Sequence, residues 1–246
     1  MRTKTGLRRL FFSNIWRVQM ALAASLFFLV LPSRAQLSLN PGDTVNLSQL
    51  VGPGSASIQV GDKLFSDFGI PGTEVPVNSV NVTALSNLFG YGISFSSSQF
   101  AAIGNTTNDI ILEYSVTVTD PQRLISDVHL SYNGSNAGSG FSHLTEEIFT
   151  GGFGGQKIAQ LDVLNPGNPN PIFQNSVNLV PTRETLFIQK DLYLFGGGSS
   201  SGLNYALVSI VDQTFSEIPE PSALLLAGIG FLALLTWEHL KRTAAR

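Results

Sequence analysis

A chain of 246 residues carries 14 Lys and Arg against 17 Asp and Glu, a formal net charge of −3, and no cysteine. The missing cysteine excludes disulfides, thiolate nucleophiles and cysteine-held zinc or iron–sulfur centres. Between residues 36 and 218 the only cations are Lys63, Arg123, Lys157, Arg183 and Lys190, against 15 acids. That middle segment therefore carries about −10 and lacks the Lys and Arg clusters that phosphate backbones need, which excludes a nucleic-acid partner.

The chain begins with Arg2, Lys4, Arg8, Arg9 and Arg17 and no acid, followed by the apolar run Met20 to Leu31 and then Pro32-Ser33-Arg34-Ala35. A basic start, a short apolar centre and small residues at Ser33 and Ala35 make a secretory signal peptide over 1–35, with Gln36 as the mature N-terminus.

Residues 36–217 read as strands separated by Gly, Asn, Ser and Pro. Ala56–Phe68 alternates around a Gly61-Asp62 turn. Val75–Ser86 alternates at Val77, Val80 and Val82, and Tyr91–Phe95 is short. Ile110–Thr119 is the strongest strand, with Tyr114, Val116 and Val118 on one face and Ser115, Thr117 and Thr119 on the other. Asp120-Pro121-Gln122-Arg123 supplies a turn, from which Leu124–Tyr132 is expected to return beside it as a hairpin. Lys157–Leu164, Ile172–Leu179, Glu184–Phe195 and Leu203–Phe215 complete the set. Spacing of roughly 8–14 residues, with no long segment of helical period, predicts an all-β chain: a single β-sandwich or jelly-roll-like domain.

Chemistry is sparse in this body. Gly151–Gly155 and Gly196–Gly202 lack the GxxxxGK[ST] spacing of a phosphate cradle and read as hairpin loops. Asn165–Pro171 reads as a turn-rich connector. His143-Leu144-Thr145-Glu146-Glu147 sets a histidine near two acids without the HExxH spacing, and reads as a polar strand edge or loop. No serine sits in a G-x-S-x-G elbow. The sequence thus predicts no catalytic residue, no metal site and no cofactor.

The tail, residues 218–246, has three ordered parts: Pro219-Glu220-Pro221, a run without charge from Ala223 to Trp237, and a basic end at Lys241, Arg242 and Arg246. The prolines keep the chain extended ahead of the run. The run is long enough for about 23 Å of helix at roughly 1.5 Å per residue, which Trp237, Lys241 and Arg242 extend into a short membrane span over about 222–239. This order resembles the PEP-CTERM sorting signal, and the resemblance covers the tail alone. It implies a sorting motif at Pro219, Glu220 and Pro221, an exosortase-type processing enzyme as partner, and a membrane-held stage before release to the cell surface or medium. The expected role is that of a non-enzymatic cell-surface or extracellular-matrix protein, with extracellular polysaccharide as a further partner. The alternative is an exported carbohydrate-active enzyme on a jelly-roll scaffold.

Overall fold

The computed structural model describes residues 35–166, 170–198 and 203–219, all within the compact unit Ala35–Arg246. Apart from Ala35, the expected signal peptide lies outside the described residues, as does the expected membrane helix. Among those described, no helix is long and apolar enough to cross a membrane.

The described chain is almost wholly extended. Its strands are β1 (Gln36–Leu39), β2 (Thr44–Asn46), β3 (Ser57–Val60), β4 (Lys63–Gly69), β5 (Asn81–Asn87), β6 (Gly90–Ser96) and β7 (Ala101–Ile103). They continue as β8 (Thr107–Val118), β9 (Arg123–Ala137), β10 (Phe141–Thr150), β11 (Gln156–Asn165), β12 (Gln174–Arg183), β13 (Thr185–Phe195) and β14 (Tyr205–Pro219). The first sheet runs β1-β3-β4-β8-β13-β10-β11. The second runs β12-β9-β14-β6-β5-β2, with β7 also paired to β14. Every pair is antiparallel except β1 with β3. The two sheets enclose one apolar core, which makes the body a β-sandwich.

Alternation places the core. Along β8, Ile110, Leu112, Tyr114, Val116 and Val118 are buried and point at the second sheet. Tyr114 is the aromatic hub, with ring centroids 6.1 Å from Phe65, 5.9 Å from Phe68 and 5.6 Å from Phe95. Phe65 lies 6.1 Å from Phe215. Phe65, Phe68 and Tyr114 belong to the first sheet and Phe95 and Phe215 to the second, so this cluster joins the layers. Each such ring contributes about 1.5–3 kcal/mol by burial alone.

The β3–β4 hairpin turns at Gly61-Asp62 as the sequence predicts. Gly61 sits at φ 57, and a Cβ there would overlap the Tyr91 ring, so both backbone and packing require glycine. Val77, expected on a strand, lies instead in a 3₁₀ turn at Val77–Ser79 that leads into β5. The expected hairpin of Ile110–Thr119 with Leu124–Tyr132 is not formed. The Asp120–Arg123 turn carries the chain from β8 in one sheet to β9 in the other, where β9 pairs with β12 and β14. Both strands have one apolar face, and those faces meet across the core rather than lying edge to edge. Similarly, the Gly151–Gly155 loop closes the β10–β11 hairpin, but the segment from Gly196 joins β13 and β14, which belong to different sheets.

Candidate binding groove, charged clusters and sorting motif

The His143–Glu147 segment forms the middle of β10, an interior strand between β13 and β11, and not a strand edge or loop. Because side chains alternate, His143, Thr145 and Glu147 face outward while Glu146 points into the core. The histidine and Glu146 therefore never converge. His143 Nε2 instead meets Asp162 Oδ1 at 3.1 Å, and Thr145 Oγ1 donates to the same oxygen at 2.8 Å. Burial alone would raise the Asp162 carboxyl, but hydrogen bonds from Thr145, Gln160 and His143 outweigh it and hold the group below its usual range. Among the described residues, no three His, Asp or Glu side chains gather closely enough to hold a metal ion.

On the same outer face, Asp191 of β13 is pushed up to about 6, by partial burial first and then by a hydrogen bond and like charge from Asp109 of β8. Its folded value exceeds the ordinary 3.8, so its protonated form suits the fold. The associated stability is fully present below about 3.8 and is lost as pH rises through about 6. Asp191→Asn should therefore stabilise the protein at pH above about 6, by less than about 1 kcal/mol given solvent screening. Urea melts at acid and neutral pH check this; a variant no more stable than the parent at neutral pH contradicts it.

A concavity lies on the outer face of the second sheet. It is a groove of about 600 Å³ lined by Asn87 and Phe89 from the β5–β6 turn, His129, Leu130 and Ser131 from β9, Gln174, Asn175 and Ser176 from β12, and Asp212 and Thr214 from β14. Strand pairing fixes these positions: Asp212 lies opposite Ser131, and Thr214 opposite His129. Phe89 stacks on the His129 ring with centroids 4.2 Å apart and planes 22° from parallel. His129 Nε2 is held by Asp127 Oδ1 at 3.0 Å. Asn87 Oδ1 accepts from the Phe89 amide at 2.8 Å, and Ser216 Oγ donates to the Phe89 carbonyl at 3.0 Å, so the turn carrying the ring is braced. The groove offers one stacked aromatic wall and a floor of amide, hydroxyl and carboxylate groups. Sequence reasoning left this set out because it has no local spacing. Its one linear signal is the pair of exposed apolar residues Leu88 and Phe89 in an Asn- and Gly-flanked turn.

The sorting motif begins at the end of the second sheet. β14 runs to Pro219, which is in register with Arg123 of β9, while Glu220 and Pro221 lie outside the described residues. Two residues before Pro219, Glu217 receives Arg123 Nη1 at 3.4 Å and pairs with Lys63 Nζ, which also donates to Asp62 Oδ1 at 3.1 Å. Lys63 is buried, which lowers its pKa against the pull of Asp62. This cluster ties the last turn of the body's final strand to β4 in the opposite sheet.

Several solved structures are distantly similar. One is the enzymatically active domain of tailspike protein 4 from bacteriophage CBA120, at 14% identity and TM-score 0.28, over 63% of this chain and 19% of that one. Another is a carbohydrate-binding module of the β-sandwich superfamily, at 8% identity and TM-score 0.30, over 61% and 56%. A third is Arthrobacter globiformis isomalto-dextranase, at 10% identity and TM-score 0.26, over 61% and 23%. The chain thus spans between about a fifth and just over half of those proteins. No curated protein matches it. Residues 217–237 match the PEP-CTERM protein-sorting motif, which implies a protein exported and passed to exosortase for sorting, and the match leaves the β-sandwich body unassigned.

Proposed function

We propose that this is a non-enzymatic component of the cell surface or extracellular matrix, sorted through Pro219-Glu220-Pro221 and binding polysaccharide in the groove of the second sheet. The observation that carries the binding reading is the Phe89–His129 stack at the wall of a groove lined by Asn87, Gln174, Asn175 and Asp212. A sugar ring presents an apolar C–H face and a rim of hydroxyls. The aromatic wall takes the first and the amide and carboxylate groups take the second. Phe89 is 48% exposed, so its removal tests binding without opening the core.

Phe89→Ala and Asp212→Ala should each weaken binding of matrix polysaccharide from the host about tenfold or more, the equivalent of about 1.4 kcal/mol per decade. Affinity electrophoresis in gels containing that polysaccharide reads the effect, with circular dichroism as a control for folding. Equal retardation of parent and variants removes the groove from the account.

A second reading is an exported carbohydrate-active enzyme, in which the hydrogen-bonded Asp191 and Asp109 carboxyls on the outer face of the first sheet would supply the acid pair. Release of reducing sugar that Asp191→Asn abolishes would establish it.

A further inference from the structure

The core of the sandwich holds a polar set that neither sorting nor the groove uses. In β13 the inward positions read Leu186, Ile188, Lys190, Leu192 and Leu194; in β10 they read Ser142, Leu144, Glu146 and Ile148; in β14 they read Val211, Gln213 and Phe215. Lys190, Glu146 and Gln213 each interrupt an apolar row, and the three meet. Lys190 and Glu146 are direct cross-strand partners in the first sheet, and Gln213 faces them from the second. All three are fully buried. Lys190 Nζ contacts both Glu146 Oε2 and Gln213 Oε1. Gln213 Nε2 donates to the His129 carbonyl at 2.9 Å, which fixes the amide so that its carbonyl side is turned to the lysine. Glu146 Oε1 is buried with no hydrogen-bond partner.

A simple ion pair would suffer the full desolvation of two charges in this setting. Burial instead drives both groups toward neutrality, lowering Lys190 against the attraction of Glu146 and raising Glu146 against the attraction of Lys190. A neutral amine is a nucleophile, a carboxyl is a proton carrier, and a primary amide held against the amine is an acyl donor.

We propose that Lys190 Nζ and Gln213 Cδ form an intramolecular isopeptide bond, with Glu146 as the proton carrier and ammonia as the leaving group. The Nζ lone pair forms the N–C bond while the carbonyl π pair moves onto Oε1. That pair then returns as the Cδ–Nε2 bond breaks. Glu146 gives its carboxyl proton to Nε2 and takes one from Nζ, so the carboxyl is regenerated and Nε2 departs as ammonia. No oxidant or further reactant enters. The product ties β13 of one sheet to β14 of the other, a covalent brace in a sequence that has no cysteine to make one. It also anchors the strand that leads into the sorting motif. Lys63 provides an internal contrast: its carboxylate partner, Glu217, is also held by the Arg123 guanidinium, which favours the ionised form that an amine does not attack.

Peptide mapping of the full chain from its own host decides the matter. After denaturation and trypsin, Lys190 is expected to resist cleavage, and the peptide that starts at Glu184 and runs past Gln213 should be one ammonia lighter than its sequence. Lys63 should be cleaved normally. Glu146→Ala should restore both cleavage at Lys190 and the full mass. Cleavage at Lys190 with full mass in the unaltered protein overturns the proposal, whether or not the variant folds. A cross-link that joins this peptide to the one spanning Leu124–Lys157, one water lighter than their sum, overturns it too, because that would place the bond on Glu146.

Discussion

Lys63→Ala should destabilise the folded body by about 3 kcal/mol. Lys63 is fully buried, and its partner Glu217 has a side chain only 6% exposed, so removing the ammonium leaves a nearly buried carboxylate facing Arg123 alone. The expected loss sits at the lower end of the range for broken buried pairs because Arg123, with half of its side chain in solvent, still approaches Glu217 at 3.4 Å. Replacing both partners, Lys63→Met with Glu217→Leu, should bring stability back to within about 1 kcal/mol of the parent, since neither charge is then left unpaired. Urea titrations of the three proteins, read for a shift in midpoint at constant slope, measure this. If the double variant is as unstable as Lys63→Ala, the clamp is held by shape rather than by charge.

Replacing Pro219 and Pro221 with Ala, or Glu220 with Ala, should leave export intact while the full-length, membrane-held form accumulates. The physical reason lies in what the prolines prevent. Proline cannot donate to a β ladder, and Pro219, in register with Arg123 of β9, is the last described residue of β14. Pro221 would likewise keep a helix proposed for the apolar run from growing backward. On the proposed reading the motif is an extended peptide ahead of a membrane span, whose orientation Lys241 and Arg242 would fix. Alanine at both positions lets either neighbour claim it. Immunoblots of membrane and medium fractions, in a host with exosortase and in one without, read the outcome. The unaltered chain should accumulate in the second host as the variants do in the first. Equal release of variant and parent in the first host would make the tail a plain anchor.

The strands were readable because one-sided burial imposes a period of two. Ile110–Thr119 shows it most clearly, and there the predicted faces match the observed ones. Strand partnership was not readable, since the same alternation serves a hairpin neighbour or a strand in the opposite sheet. Leu124–Tyr132 went to the second sheet for that reason. The middle of β10 reads only as a polar strand edge or loop because Glu146 breaks its apolar row, and the residues that accommodate Glu146 lie far away in sequence: Lys190 is 44 residues on, and Gln213 a further 23. The groove was hidden in the same way, Ser216 and Phe89 being 127 residues apart. The sorting tail was legible because all its parts are consecutive and its physics is local.

Sequencing the terminal peptides of the protein recovered from the medium of its own host tests the central claim, an exported sandwich released from its tail, most directly. The expected N-terminal peptide begins at Gln36, within about three residues. The expected C-terminal peptide ends near Pro221 and lacks the run from Ala223 to Trp237 together with Lys241, Arg242 and Arg246. A recovered protein that still carries Met1–Leu31, or the intact tail to Arg246, would contradict the account.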